Sequence, residues 1–394
     1  MFLLFLLSSF SFQPDTTHLA AATALCQSAI IVDGHIDTPS LIESNRETDM
    51  ITGRNCSDFS IPLARKGGLD APFMSIYTPS GLQKTPGASF QHANLLIRLV
   101  DSVITRNPGV VAKALSPADI RSNTANGLIS LPLGMENGSP IEGNPENVEY
   151  FYKKGVRYIT LTHATHNQIG GSSYDTSPTG RDLTEFGRTV ISEMNRLGIL
   201  VDLAHVTDST FYQALRETKA PPVISHSSCR HFTPGFERNV SDDMLKALAR
   251  KDGIIMINFG TYFLTRAGNS YGDRRREHLD RFIKENAITK RDDPAVKAER
   301  TRWEKENPYP RATISDVADH IDHAVRLAGI DHVGLGSDYD GVGPTLPAGL
   351  ETAATYPNLV AELMRRGYSE TDIRKILGEN FLRVWETALS VVTP

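Results

Sequence analysis

The chain has 394 residues, 40% of them hydrophobic and 22% charged, which excludes disorder, collagen and coiled coil and allows one large domain or two ordinary ones. Its 41 Lys and Arg against 46 Asp and Glu leave a net charge of −5, so no basic field points to nucleic acid or to an anionic membrane surface. Function must come from a site.

Residues 1–12 (MFLLFLLSSFSF) are too short to span a bilayer and resemble the apolar core of a signal peptide. The first basic residue is Arg46, and Ser9-Phe10-Ser11 is a weak cleavage site, so residues 1–16 are expected to be either a signal peptide or a disordered N-terminus. The first alternative makes an exported protein, periplasmic or secreted; the second makes a cytoplasmic one. The terminal TALSVVTP carries no apolar anchor, and no stable membrane anchor is expected. Cys26, Cys56 and Cys229 are far apart and form no C-x-x-C, which argues against a disulfide framework or a cysteine zinc site and leaves one long-range pair open.

Short apolar runs then alternate with helical patterns, as in a parallel sheet covered by helices. In chain order they are 29–32 (AIIV), 72–77 (PFMSIY), 128–133 (LISLPL), 157–162 (RYITLT), 199–203 (ILVDL), 222–225 (PVIS), 254–258 (IIMIN) and 333–336 (VGLG). Gly155, Gly198, Gly253 and Gly329 precede four of them and are expected to close the foregoing helices in the left-handed conformation. Stretches such as 186–197 and 242–251 have the 3.6-residue apolar spacing of helices. Eight such units predict an α/β fold, a single (β/α)8 TIM barrel over residues 17–394 with insertions. A doubly wound open sheet is the rival, but no G-x-G-x-x-G follows the first run and no phosphate loop occurs. Residues 261–311 are rich in charge and read as an exposed excursion, with covering the barrel mouth or meeting a second subunit as alternatives. Residues 356–366 and 370–377 are expected to be closing helices split at Gly367.

In such a barrel the reactive groups lie at the carboxyl ends of the strands. Those ends read Asp33-Gly34-His35-Ile36-Asp37, Met135-Glu136-Asn137-Gly138, His163, Ala204-His205, His226 and Ser337-Asp338-Tyr339-Asp340. His35 and Asp37 are two apart, so a strand turns both to one side, and together they can hold a cation. His205 and His226 supply a second imidazole pair, and Glu136 is placed to bridge two ions. Nitrogen and oxygen donors without thiolate suit Zn²⁺ or a similar ion in an open site, and two such ions would share a water and aim it at a carbonyl or phosphoryl centre. Hydrolysis is the leading reaction. His320 and His323, spaced i, i+3 in a helical run, read as surface residues on the barrel's outside, as do Arg274, Arg275 and Arg276.

The segments DGHIDTP (33–39), MENG (135–138), YITLTH (158–163), VDLAHV (201–206), PVISHSS (222–228), RNVSDD (238–243) and GLGSDYDG (334–341) closely resemble the membrane dipeptidase (renal dipeptidase) family, zinc hydrolases of the amidohydrolase superfamily. The resemblance implies two zinc ions per subunit, one on His35 and Asp37 and one on His205 and His226, bridged by Glu136 where related amidohydrolases use a carbamylated lysine. It further implies that His163 stabilises the oxyanion, Arg238 binds the terminal carboxylate of a dipeptide, and Asp338 moves protons to the leaving amine. His166, Arg230 and Asp340 compete for those three roles. The expected substrates are L-Xaa-L-Xaa dipeptides, with a D-residue tolerated at the second position, and a homodimer is expected because the family often forms one. Other barrel hydrolases of lactones, N-acyl amino acids or phosphoesters, and a catalytically silent barrel, are the alternatives. MENG and Pro72-Phe73-Met74 depart from the family pattern and are expected to reshape the pocket. Asn55 and Asn239 fit the N-glycosylation pattern.

Overall fold

The computed structural model describes residues 16–392, so nearly all of the leader assigned to residues 1–16 lies outside the described residues. Eight parallel strands close into a barrel: β1 (Ile31–Ile36), β2 (Leu69–Tyr77), β3 (Leu133–Glu136), β4 (Val156–Thr160), β5 (Leu200–Asp202), β6 (Val223–Ser227), β7 (Ile254–Ile257) and β8 (Val333–Leu335). Each pairs with its neighbours in sequence, and the Asp33 to Leu335 pairing of β1 with β8 closes the ring. Helices separate the strands, as the alternating pattern predicts. No described helix is long and apolar enough to cross a membrane.

The run 128–133 proves to be two elements. Ile129–Ser130 pairs with Val111–Ala112 in a small separate ladder, and the barrel strand begins after Pro132, which has no amide hydrogen for a ladder. Glu136 is therefore the last residue of β3 itself. Gly155 and Gly198 cap helices in the left-handed conformation as expected (φ 106° and 74°). Before β7 that conformation falls to Asp252 (φ 58°), and Gly253 is needed for another reason: a Cβ there would stand 2.6 Å from the Pro222 carbonyl oxygen. The three cysteines are all free.

The floor of the barrel is aromatic. Phe73, from the inner layer of β2, packs against Tyr158 of β4 (5.3 Å between centroids) and against Phe381 and Trp385 (5.0 and 5.5 Å) of the helix Asn380–Ser390. That helix plugs the end of the barrel remote from the strand termini. Tyr158 reaches the barrel centre because its neighbour on β3 is Gly134, where a Cβ would overlap the phenol ring. Of Pro72-Phe73-Met74, Phe73 thus builds the floor, and none of the three lines the cavity described below.

Candidate metal centre

Glu136 is the hub, 4% exposed, with its two oxygens turned to different partners. Oε2 lies 3.4 Å from His35 Nε2 and accepts a hydrogen bond from Ser75 (3.1 Å); Oε1 lies 3.2 Å from Nε2 of His205 and of His163 and 3.5 Å from that of His226. Burial opposes its charge, yet His35 and His163 hold it well below the usual carboxylate range. Asp37 Oδ2 is 3.4 Å from His35 Nε2, so this pair meets as its spacing predicts, although β1 has already ended at Ile36. At this centre three sets have one donor atom each within 4.8 Å of one another: His35, Asp37 and Asp338; His35, Glu136 and His226; and Glu136, His163 and His205. All five residues read as ligands therefore share one centre.

The imidazole tautomers follow from hydroxyl partners. Tyr158 donates to the Gly34 carbonyl (3.1 Å), so its oxygen must accept from His35 Nδ1 (2.8 Å), which leaves His35 Nε2 a buried lone pair without a hydrogen-bond partner. Ser225 likewise donates to Asp202 Oδ2 (2.6 Å) and accepts from His226 Nδ1 (2.7 Å). His226 Nε2 then presents a lone pair 2.9 Å from His205 Nε2, and only a proton or a cation can lie between them. These oriented nitrogens, carboxylates and absent thiolates fit a divalent ion of the zinc type.

Two buried aspartates pin the strand ends. Asp33 Oδ1 accepts from the amides of His35 (3.0 Å) and Ser337 (2.9 Å), and its Oδ2 takes the Tyr356 hydroxyl. Asp202 Oδ1 accepts from Ala204 (3.1 Å) and Ser225 (2.9 Å), and its Oδ2 takes Thr160 (2.5 Å) and Ser225. Each carboxylate joins its own strand to a neighbour at the point where ligands emerge. Just beyond, His205, Asp338 and Asn137 adopt left-handed backbone (φ 67°, 62° and 75°), a conformation that non-glycine residues adopt at a cost and that clusters at functional sites.

Asp338 accepts from Asn258 (2.7 Å), and its own amide donates to the His35 carbonyl (3.1 Å). Burial, with Asp37 adding repulsion, raises its pKa well above the carboxylate range. Its rival Asp340 is held by Thr38, Ser57 and the Asp58 amide and ties loops together. His166 accepts from the Ser172 amide (2.9 Å) and braces the 172–180 loop, whereas His163 faces the cavity. Arg230 is paired twofold with Asp208 (2.7 and 2.6 Å). Arg238 is 3% exposed and lines the cavity, bonded to Ser227 Oγ and the His226 carbonyl (2.9 Å), with Nε unpartnered and no carboxylate pair among the described residues. Asn239 beside it bonds Thr233, the Phe263 carbonyl and the Ser228 amide; at 1% exposure it is no glycan acceptor.

A cavity of about 720 Å³ opens above this centre. Its outer wall is the 261–311 excursion, whose Tyr262, Phe263, Tyr271, Arg275 and Tyr309 line it. Tyr262, Phe263, Tyr271 and Tyr309 turn toward the cavity while most of the segment's charges stay at the surface, so it covers the mouth instead of projecting into solvent. His320 and His323 are also corrected: both are buried, His320 between the Cys229 amide and the Leu264 carbonyl and His323 against Asp242 (2.8 Å). Burial pushes the pKa of His320 down to about 4, as suits a neutral core imidazole.

A carboxylate shared between imidazole donors at the carboxyl ends of the strands of a (β/α)8 barrel is the arrangement of a metal-dependent hydrolase. Residues 19–393 match the profile of the family described as membrane dipeptidase (peptidase family M19), and the chain belongs to that family. It is by that membership a metal-dependent dipeptidase. Its fold matches that of the probable dipeptidase PvdM from Pseudomonas aeruginosa, at 22% identity and a TM-score of 0.82 over 96% of this chain and 100% of the other. A metallo peptidase from Rhodobacter sphaeroides, solved with a phosphinate mimic of the dipeptide L-Ala-D-Ala, is 26% identical with a TM-score of 0.73, over 91% of this chain and 99% of its own. The dipeptidase AC of family M19 is 25% identical with a TM-score of 0.75, over 91% and 98%.

Proposed function

We propose that the protein is a binuclear zinc dipeptidase that hydrolyses L-Xaa-L-Xaa dipeptides and accepts a D-residue at the second position. Arg238 carries this reading. A buried guanidinium without a counter-ion is costly, and its planar fork suits a carboxylate held at two points. A dipeptide brings that carboxylate close to its scissile bond, which explains why short substrates with a free C-terminus would be chosen. The L-Ala-D-Ala mimic bound by the Rhodobacter sphaeroides relative supports the tolerance for a D-residue.

His35, Asp37, Glu136, His205 and His226 would hold the two ions, which supply an activated water and polarise the scissile carbonyl. His163, its side chain 19% exposed toward the cavity, donates a hydrogen bond to the carbonyl oxygen as charge builds there. Asp338 takes a proton from the attacking water and passes it to the leaving amine, and Asn258 keeps its carboxylate aimed. Metal analysis and dipeptide kinetics test the reading. Arg238→Ala is expected to raise KM for dipeptides by about a hundredfold, in line with losing one side of a buried charge pair. An unchanged KM would sink the carboxylate clamp, and full activity with fewer than two bound ions would sink the two-metal assignment.

A further inference from the structure

Four aromatic rings from three segments stand around Arg238. Phe263 lies beneath the guanidinium, 5.2 Å from Cζ to ring centroid. Phe236, from the loop that carries Arg238, meets Phe263 at 5.9 Å, Tyr262 at 4.8 Å and Tyr174 at 6.2 Å. Tyr174, in the loop after β4, also stands 5.8 Å from the His205 ring. The wall therefore runs from the metal centre to the arginine and on into the excursion.

Two members of this wall are unusually open. Tyr174 and Tyr262 are 39% and 36% exposed, and they are two of the four large hydrophobic side chains with such exposure among the described residues. Both line the cavity. Apolar surface concentrated beside a buried, unpaired cation has the character of a half-built ligand pocket. A dipeptide's C-terminal side chain branches from the carbon that bears the carboxylate. With that carboxylate on Arg238, whose guanidinium stands over Phe263, the side chain would lie against these rings.

We infer that the wall of Tyr174, Tyr262 and Phe263, backed by Phe236, is the subsite for the second residue's side chain and selects dipeptides that end in a large aromatic residue over those that end in alanine. The inference rests on the dipeptidase reading and adds the substrate class. Offset and edge-on ring contacts reward an aromatic side chain beyond its area, whereas an alanine methyl would leave both tyrosines wet. The excursion supplies two of the four rings, so it sets specificity.

The test compares kcat/KM for L-Ala-L-Phe, L-Phe-L-Ala and L-Ala-L-Ala on the zinc-loaded full chain. L-Ala-L-Phe should exceed L-Ala-L-Ala by at least about tenfold, the discrimination that a well-packed apolar subsite gives, and L-Phe-L-Ala should not share the gain. In Tyr262→Ala and Tyr174→Ala the ratio of the first substrate to the third should fall by about tenfold, while Tyr262→Phe should keep it. Each ratio is internal to one preparation, so partial misfolding cancels. Turnover of L-Ala-L-Ala equal to that of L-Ala-L-Phe, or a preference that survives both alanine variants, overturns the inference and leaves the dipeptidase reading intact. Failure to cleave any dipeptide overturns both.

Discussion

The two halves of the metal centre are built on the same plan with opposite electrostatics. On the β1 and β8 side, Asp33 ties the strand ends, and His35 shares its space with Asp37, Asp338 and Glu136. Burial disfavours charge on His35, but Tyr158, Glu136 and Asp37 together draw its pKa well above that of free imidazole. On the β5 and β6 side, Asp202 does the tying, yet burial, together with Arg238 near His205 and with His35 near His226, holds both imidazoles well below. The first half attracts positive charge; the second keeps two neutral nitrogens ready and borrows its negative charge from Glu136. A shared carboxylate is what makes such unequal halves into one centre.

The largest expected effect therefore belongs to that shared group. Glu136→Gln should lower kcat/KM by a thousandfold or more, as loss of a group on which the others act together does, and bound metal measured by elemental analysis should fall. Loss of only one half's metal would show that the halves do not depend on each other through Glu136. Next, Asp202→Asn should weaken zinc binding by about a hundredfold. An amide at Oδ2 would donate to Ser225, which must then donate to His226 Nδ1 and move the proton onto the nitrogen that should bind metal. Asp33→Asn should cost only about tenfold, because Oδ1 can still accept from His35 and Ser337 while Tyr158 sets the tautomer of His35. Competition titrations with a chelator measure both, and equal losses would end the distinction between the two anchors. The smallest effect is expected for Tyr158→Phe, a loss in zinc affinity below about tenfold from one orphaned ring N–H.

The barrel was legible because its runs, helices and turns repeat eight times, and the ligands because chemistry stands where strands stop. Local pattern carries both. It carries less where partners are distant: Asp33 meets Ser337 and Tyr356 some 300 residues away, so only its place within DGHID hinted at a role. Asn258, Tyr158 and Ser225 carry no local signal for the same reason, since Asn258 is tied to Asp338, Tyr158 to His35 and Ser225 to Asp202, each from another strand or its end. His320 and His323 were misread since a periodic polar pair does not reveal that its helix is packed on both sides. The excursion misled through composition, its dense charge masking a few inward aromatics such as Tyr262 and Tyr271. Pro132 was the overlooked signal within 128–133 that a strand ended there.

The aromatic floor couples the order of chain growth to activity. Trp385 and Phe381 support Phe73, Phe73 supports Tyr158, and Tyr158 fixes the nitrogen that His35 offers. A nascent chain exposes its first ligand early, at residue 35, but the ring that orients it has no backing until residues 380–390 have docked beneath the barrel. The final alignment of His35 is thereby expected only at the last stage of folding, after every strand is in register. A partly made chain would thus carry its first ligand before the floor that aims it.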